Sequence, residues 1–555
     1  MRRFERSVLV IILATMLIKM AIPFLRGQLV SGHDVWFYPP RLGEFHENLR
    51  HGLLLPQWAP DLESGNGQPF FVFTPPFLYY LAEPFFAAGA HAATAFNLVV
   101  LLVLIASTAS MFLLCRLLFG ERAGWVGAVA YVSSPYFHVD LYVRHALAES
   151  LSFALLPAAI YGFAAYARKG KAGFLVLAAI SYAGILLSHN PSALILTPVV
   201  FSFIFFDALQ FGSLRLFGKQ LSTLLLGIGV AAFFWLPSLV ERTAVHIERT
   251  TNDYFTYSNH FVYPRQFLSR FWGYGLSGPG PYDGMSFSLG RTHVWIAGLA
   301  LILAGLGLLI ARRRIRPEQI FLAAWTFALC FLMTPYAAAI WQWVPLLQAA
   351  QFPWRLLGPA AFCIAGLAGS FVEVLPRWSI LRATIAPIAV LALVIPNWRH
   401  SKPEYYVTVG ADMTDPDEIA RKGFDASLIT EFEPRWVQKN PGYDPHRLRV
   451  LEGESSVEMV HATPELWSAS IVLKTPSLFE TRLFYFPGWE VRLDERAIPI
   501  EIAEPSGRIR FRIEEPGVHS VRIELRSTWV RLFGEIISFG SVIAGIVALA
   551  RRARN

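Results

Sequence analysis

"GHDVW", residues 32–36, sets a histidine and an aspartate, His33 and Asp34, where the first apolar run of the chain gives way to polar sequence. A carboxylate there has the chemistry of a general base, although an Asp at a turn also serves as a helix cap. A second group of ionisable residues stands in "VDLYVRHALAES", 139–150. On a helix, four-residue spacing sets Asp140 beside Arg144 and His145 beside Glu149. Glu149 leads an apolar segment, and an ionisable group at that depth marks a site or holds a partner. The third candidate is Arg355 in "QFPWRLLG". Its planar fork of donors suits phosphate or carboxylate, and the neighbouring Trp354 fits an aromatic belt at the membrane surface. His189 in "SHNPS" and Lys19 inside the first apolar run complete the set. A carboxylate to deprotonate a hydroxyl and cations to stabilise a leaving phosphate, both at lipid-headgroup height, are what group transfer from a lipid-linked phosphate donor requires.

The elements that must position these residues are mostly membrane spans. Hydrophobic residues make up 54% of the 555-residue chain and charged residues 16%, which excludes an ordinary soluble enzyme. About twelve apolar runs are long enough to be read as spans, near 7–25, 93–115, 123–137, 147–167, 172–188, 191–208, 220–238, 292–311, 318–336, 355–374, 380–396 and 529–550. With the N-terminus inside, every cytoplasmic connection is short and basic: Arg116 and Arg122; Arg168, Lys169 and Lys171; Arg215 and Lys219; Arg312, Arg313, Arg314 and Arg316; Arg377 and Arg382; Arg551, Arg552 and Arg554. The net charge of +8 is therefore spent on topology. No basic stripe interleaved with aromatics suggests nucleic acid. Arg2, Arg3 and Arg6 precede the first run as in a signal peptide, but Lys19 interrupts it and no small-residue cleavage site follows, so it reads as a retained helix. Cys115, Cys330 and Cys363 fall within or at the ends of apolar runs and read as small hydrophobes.

The opposite face carries long connections, 26–92, 134–146, 239–291, 337–354 and 397–528. After Pro40, Leu42, Phe45, Leu49 and Leu53 recur at helical spacing, as in an amphipathic helix lying on the membrane. Loop 239–291 holds Glu241, Arg242, Asp253, Arg265, Arg270 and the Gly/Pro-rich "GYGLSGPGPYDG", and its length suits a lid. Segment 397–528 alternates polar and apolar residues in "GWEVRLD", "RIRFRI" and "HSVRIELR", the pattern of a small β-sandwich. The expected organisation is a transmembrane domain over 1–396, an extracytoplasmic β-rich domain over 397–528, and a last helix with a basic tail over 529–555.

Several motifs also carry a resemblance. "GHD", "LPQWAPDLESGNGQPFFVFTPPFLYYL", "SSPYFHVDLYVRHALAES", "LLSHNPSAL" and "FPWR", in this order, resemble the GT-C superfamily of membrane glycosyltransferases, and within it the bacterial "6-pyruvoyl-tetrahydropterin synthase-related" membrane proteins. "FPGWEVRLDERAIPI" followed by a helix is similar to the tail of YfhO-like membrane proteins. The resemblance implies a GT-C-like helical fold in a bacterial cytoplasmic membrane. It implies transfer of a hexose or pentose from a polyprenyl-phosphate donor to a glycan, lipid or protein acceptor, with inversion. It matches Asp34 to the catalytic or metal-binding acid and Glu149, or Asp140, to a second acid. Arg355, Arg144 and Lys19 would neutralise the donor phosphate, supported by His33, His145 and His189. A divalent cation, magnesium or manganese, stays open, with Asp34 as its ligand if one is used. The competing class is a non-enzymatic carrier or assembly factor for lipid-linked glycans. The enzyme reading requires Asp34, Glu149 and Arg355, from three distant connections, to meet in one pocket.

Overall fold

Long apolar runs fold as helices because no water is present in a bilayer to satisfy an open backbone. The computed structural model describes residues 3–312, 314–375, 379–423 and 432–553; Arg313, Arg377 and Arg554 of the basic connections lie outside the described residues. The helices used below are α1 (Arg3–Ala21), α2 (Tyr38–Arg50), α3 (Ala92–Phe119), α4 (Glu121–Val132) and α5 (Leu147–Lys169). They continue with α6 (Gly173–Leu186), α7 (Asn190–Gln210), α8 (Leu214–Val230), α9 (Ala232–Val240) and α10 (Arg291–Ala311). The last are α11 (Pro317–Leu332), α12 (Leu357–Val374), α13 (Ser379–Asn397) and α14 (Trp529–Ala553).

Among the described residues, eight helices are long and apolar enough to cross a membrane, and two bent pairs raise the number to ten. The bends, 69° after α8 and 86° after α11, interrupt two of the expected spans. The other two expected segments fold as α4 and α6, of 12 and 14 residues. At 1.5 Å per residue these rise only about 18 and 21 Å, short of the ~30 Å hydrocarbon core. Twelve helical segments stand where expected, but two are shorter than a span requires.

Helix α12 forms the centre, buried along its length between α4, α10 and α11. Small residues bring it close to α4: a Cβ on Gly369 would come within 2.8 Å of the Ala123 carbonyl oxygen and 3.2 Å of Gly127 Cα. At one end of the bundle the expected basic connections are tied to one another. Arg122 holds Glu5 through two bonds of 2.6 and 2.9 Å, Arg316 donates to the Leu118 carbonyl at 2.6 Å, and Arg382 pairs with Glu373 at 2.8 Å. Arg168 pairs with Glu318 at 2.7 Å. Glu149 stands 19 residues before Arg168 on α5, so the candidate site lies about 28 Å away, at the other end.

At that other end stands an antiparallel β-sandwich. One sheet runs β3 (Leu448–Glu452), β6 (Ser477–Phe484), β10 (Arg508–Ile513), β9 (Glu501–Ile502). The other runs β4 (Ser455–Thr463), β5 (Leu466–Leu473), β11 (Gly517–Leu525), β7 (Trp489–Leu493), β8 (Arg496–Ile498). Ile471, Phe479, Val491, Phe511 and Val521 fill the space between them, the alternation seen in sequence. A two-stranded ladder, β1 (Leu29–Val30) with β2 (Tyr406–Val407), ties the start of the connection after α1 to the sandwich's approach segment.

One arginine locks the sandwich to the helices. Arg531, 2% exposed at the head of α14, donates Nε and Nη2 to Glu241 at 3.0 and 2.8 Å. It also donates to the Gln57 side chain at 2.8 Å and to the Pro487 carbonyl at 3.0 Å, joining four distant segments. Removing one partner of a buried pair leaves the other charge uncompensated. Arg531→Met should therefore destabilise the detergent-solubilised protein by about 3 kcal/mol, read as a fall in the thermal midpoint by tryptophan fluorescence. An unchanged midpoint would make the contact incidental.

Candidate functional site

The positioning is done by the chain between α4 and α5. After a short helix, Pro135–Val139, residues Asp140–Arg144 widen into a turn of π-helix, and His145 then turns left-handed at φ 52°. Single π turns are rare and are found mostly at functional sites. The expected Asp140–Arg144 pair forms, with Arg144 Nη1 donating to Asp140 Oδ1 at 2.5 Å. The expected His145–Glu149 pair does not, because the left-handed turn breaks the helix between them. The His145 ring lies edge-on to Tyr38, with centroids 5.9 Å apart. Glu149 receives Arg144 Nη1 on Oε2 at 2.7 Å and the Tyr136 hydroxyl on Oε1 at 2.7 Å. Arg355, at the head of α12, brings its Nε to 3.7 Å from the same Oε2.

Asp34 is fixed to this cluster through its backbone. Its N–H donates to the Arg144 carbonyl at 3.0 Å. Gly32 permits the approach: a Cβ there would overlap the His145 side chain and come within 2.7 Å of the Arg144 carbonyl carbon and oxygen. The preceding residues are held by the β1–β2 ladder and by Ser31, whose N–H donates to the Tyr405 carbonyl at 3.1 Å. Among the described residues the Asp34 carboxylate accepts no hydrogen bond, and it keeps partial contact with solvent. Burial pushes its pKa above the ordinary Asp value, opposed by the charges of Arg144, His33 and Arg355. Burial and the Glu149 charge push Asp140 well above the usual carboxylate range.

The remaining candidates divide. His189 donates to or accepts from Ser192 Oγ at 2.8 Å, and burial with the nearby Arg355 charge pushes it down to about 3, so it is uncharged at neutral pH. His33 Nε2 meets the Tyr274 carbonyl at 3.2 Å, and burial lowers its pKa. Lys19 is not brought in: Nζ points to the Ser401 carbonyl at 3.5 Å and makes no ion pair with these carboxylates among the described residues. Trp354 is no belt residue. It is 2% exposed, stacks between Phe352 and Phe287, and carries the Arg144 guanidinium 4.6 Å over its ring.

The charged residues of loop 239–291 also go elsewhere. Glu241 holds Arg531, Arg265 lies over the Tyr282 ring, and Arg242, Asp253 and Arg270 are exposed. What the loop gives the site is uncharged: Ser277 Oγ accepts from Trp354 Nε1 at 3.1 Å, and the Thr250 carbonyl accepts from Gln351 Nε2 at 2.7 Å. Tyr136 and Ser277 act through partners 13 and 77 residues away, which no spacing rule finds; Gln351 bonds Arg355 four residues on, a spacing the sequence did offer.

The residues do not fit a metal. Glu149 and Asp140 converge on Arg144 rather than on a common point, and no group of three or more His, Cys, Asp or Glu among the described residues has metal-holding geometry. A cavity of about 750 Å³ is a cleft at the open edge of the sandwich lined by Tyr485, Trp489, Glu490 and Arg526, and it shares no residue with the cluster.

Comparison with known proteins gives a family and several distant likenesses. The family model described as "6-pyruvoyl-tetrahydropterin synthase related domain; membrane protein" matches residues 71–401. An uncharacterised protein of Lactococcus lactis subsp. cremoris is 23% identical over 245 residues, 42% of this chain and 40% of its own. Mycobacterial arabinofuranosyltransferase AftD aligns at 17% identity over 71% of this chain and 26% of its own, with a TM-score of 0.43. ArnT from Cupriavidus metallidurans bound to undecaprenyl phosphate aligns at 11% identity over 75% of this chain and 77% of its own, with a TM-score of 0.40. The Archaeoglobus fulgidus oligosaccharyltransferase AglB, in complex with an inhibitory peptide and a dolichol-phosphate, gives 14% identity, 80% and 61% coverage, and a TM-score of 0.43. The chain spans less than two thirds of the length of the Lactococcus protein and of AftD. Likenesses this loose assign no activity.

The close approach at Gly32 is directly testable. Gly32→Ala should cost about 1–3 kcal/mol of stability through overpacking and speed hydrogen exchange at the Asp34 amide as its bond to Arg144 is lost. Wild-type exchange at that amide would show that the contact does not hold Asp34.

Proposed function

The chain belongs to the 6-pyruvoyl-tetrahydropterin synthase related family of membrane proteins, whose model matches more than half of it, and we propose that it is a GT-C-type glycosyltransferase. In this reading it moves a hexose or pentose from a polyprenyl-phosphate donor to a glycan, lipid or protein acceptor of the cell envelope. One observation carries the reading. A carboxylate without a hydrogen bond, Asp34, and a guanidinium whose Nε lacks a hydrogen-bond partner, Arg355, belong to a single cluster at one end of the helices.

The chemistry follows from their states. Arg355 pairs with the donor phosphate. Asp34 takes the proton of the acceptor hydroxyl as that oxygen attacks the anomeric carbon from the face opposite the phosphate. The carbon–oxygen bond to phosphate breaks, polyprenyl phosphate leaves with the electron pair, and the anomeric centre inverts. A base whose pKa is raised, as at Asp34, takes a proton more readily than an ordinary aspartate. Arg144 already gives Nη1 to Asp140, Glu149 and Tyr136, so its part is to hold Glu149, the acid that Arg355 approaches. No step runs through a metal.

The same reading sets the orientation: a bacterial inner membrane, the basic end and both termini cytoplasmic, the cluster and the sandwich extracytoplasmic. Residues 1–396 form the catalytic membrane domain, 397–528 a domain that covers its outer loops, and 529–555 the returning helix and tail. The two bent helix pairs are a feature that carriers share. The ionisable cluster, however, stands at a helix end and not at the midplane, which favours an enzyme.

Purified protein in nanodiscs, given a radiolabelled polyprenyl-phosphate sugar and an envelope lipid and glycan extract, should transfer label without any transmembrane gradient. Asp34→Asn should reduce the rate at least about 100-fold with unchanged folding. Because the Asp34 pKa is raised, wild-type kcat should fall as pH drops through a midpoint above that of an ordinary aspartate. Transfer that survives Asp34→Asn would remove the assignment.

A further inference from the structure

We propose that Gln351 is an internal latch on the donor-phosphate site: its side-chain amide occupies Nη1 of the Arg355 guanidinium. The amide leaves when a phosphate that enters at Nε, which lacks a hydrogen-bond partner among the described residues, takes Nη1 as well. The inference rests on the phosphate-binding role proposed for Arg355.

Three observations meet at this residue. Its Oε1 accepts from Arg355 Nη1 at 2.7 Å, beside the Ala350 carbonyl at 2.9 Å. Its Nε2 donates to the Thr250 carbonyl at 2.7 Å, so a single amide bridges the guanidinium and the outer loop. Its backbone is left-handed at φ 62°, a conformation that a residue with a Cβ adopts at a cost. Strain of this kind persists only where the surroundings impose it, and here the backbone turn, with the Gln351 N–H on the Gln348 carbonyl at 2.9 Å, and the side-chain bridge hold the residue together.

The bridge also has somewhere to lead. Thr250 closes a short 3₁₀ turn, Ile247–Thr250. The preceding Arg249 pairs with Glu433 at 2.9 Å. The His246 N–H donates to the Glu433 carbonyl at 3.2 Å, and the Arg435 N–H donates to the Ala244 carbonyl at 3.0 Å. Residues 432–437 are the approach to the β-sandwich. A phosphate oxygen carries full charge and makes a stronger bond to guanidinium than a neutral amide does. It therefore displaces the Gln351 amide, and with it one of the contacts that hold residues 247–250. Donor binding and the freedom of the outer loop become two readings of one exchange of hydrogen bonds.

The latch competes with the donor, so substitutions at Gln351 shift donor affinity in opposite directions. Gly is at ease at φ 62° and has no amide, so Gln351→Gly should bind a polyprenyl phosphate up to about tenfold more tightly than wild type. Gln351→Glu presents a carboxylate to Arg355 and should bind it about tenfold or more weakly. The measurement is equilibrium binding of the polyprenyl phosphate to purified protein in nanodiscs, with inorganic phosphate as a second probe expected to shift in the same directions at weaker affinity. Hydrogen exchange at 247–250 should rise on adding the lipid to wild type and be high from the start in Gln351→Gly. Equal affinities for the three proteins, weaker binding by both variants, or a response to inorganic phosphate alone would overturn the latch. Absence of binding by wild type and both variants would overturn the role of Arg355 as well.

Discussion

Everything at the sandwich end of this molecule depends on the Glu149 carboxylate, which draws two guanidiniums from distant parts of the chain into one place. Arg144 reaches it at 2.7 Å and Arg355 at 3.7 Å, with Tyr136 on its other oxygen. Burying such groups is expensive unless each charge is paired and hydrogen-bonded. Asp140 adds a third carboxylate to Arg144, and its raised pKa favours the protonated form. Burial raises the Asp34 pKa as well, and the charges of Arg144, His33 and Arg355 oppose that rise. Asp34 therefore differs from Asp140 in its partners: its carboxylate accepts no hydrogen bond among the described residues, whereas Asp140 is held by Arg144.

The scaffold converts that pairing into geometry. The π turn over Asp140–Arg144 and the left-handed His145 push the Arg144 carbonyl outward, where it receives the Asp34 N–H. Gly32 leaves room for the contact, and the β1–β2 ladder fixes the strand that delivers it. Backbone as well as side chain of Arg144 is therefore in use, one holding the base and the other holding the acid that Arg355 approaches. Arg531 performs the matching structural task at the sandwich, where Pro487 of the sandwich, Gln57 and Glu241 meet on this one residue of the last helix.

Much of this was legible in the sequence, for a physical reason. Hydrocarbon and β-sandwich cores impose periodicities that a single chain displays, so the helical segments and the strands over "GWEVRLD", "RIRFRI" and "HSVRIELR" fold where the pattern puts them. Asp140–Arg144 was readable because the pair is local. His145–Glu149 was misread because four-residue spacing presumes an unbroken helix, and nothing in "VRHALAES" announces a left-handed turn. Charge alone drew Lys19 into the candidate set, the charged residues of loop 239–291 could not be sorted by spacing, and residue type assigned Trp354 to the membrane surface. Those residues are sorted by tertiary partners such as Ser401, Arg531 and Ser277. The contribution of Tyr136 rests on a contact 13 residues away along the chain, and that of Gln351 on joining Arg355, four residues on, to Thr250, 101 residues back, which no spacing rule brings together.

The central claim is that Asp34 and Arg355 bracket the reacting bond of a lipid-linked phosphate donor. The most direct test is a cryo-electron microscopy structure with a non-hydrolysable polyprenyl-phosphonate sugar bound. The account predicts phosphonate oxygens within hydrogen-bond reach of Arg355, and the anomeric carbon facing Asp34 across a gap that admits one hydroxyl. Density for the headgroup at the Arg168–Glu318 end, or in the sandwich cleft beside Trp489, would contradict it.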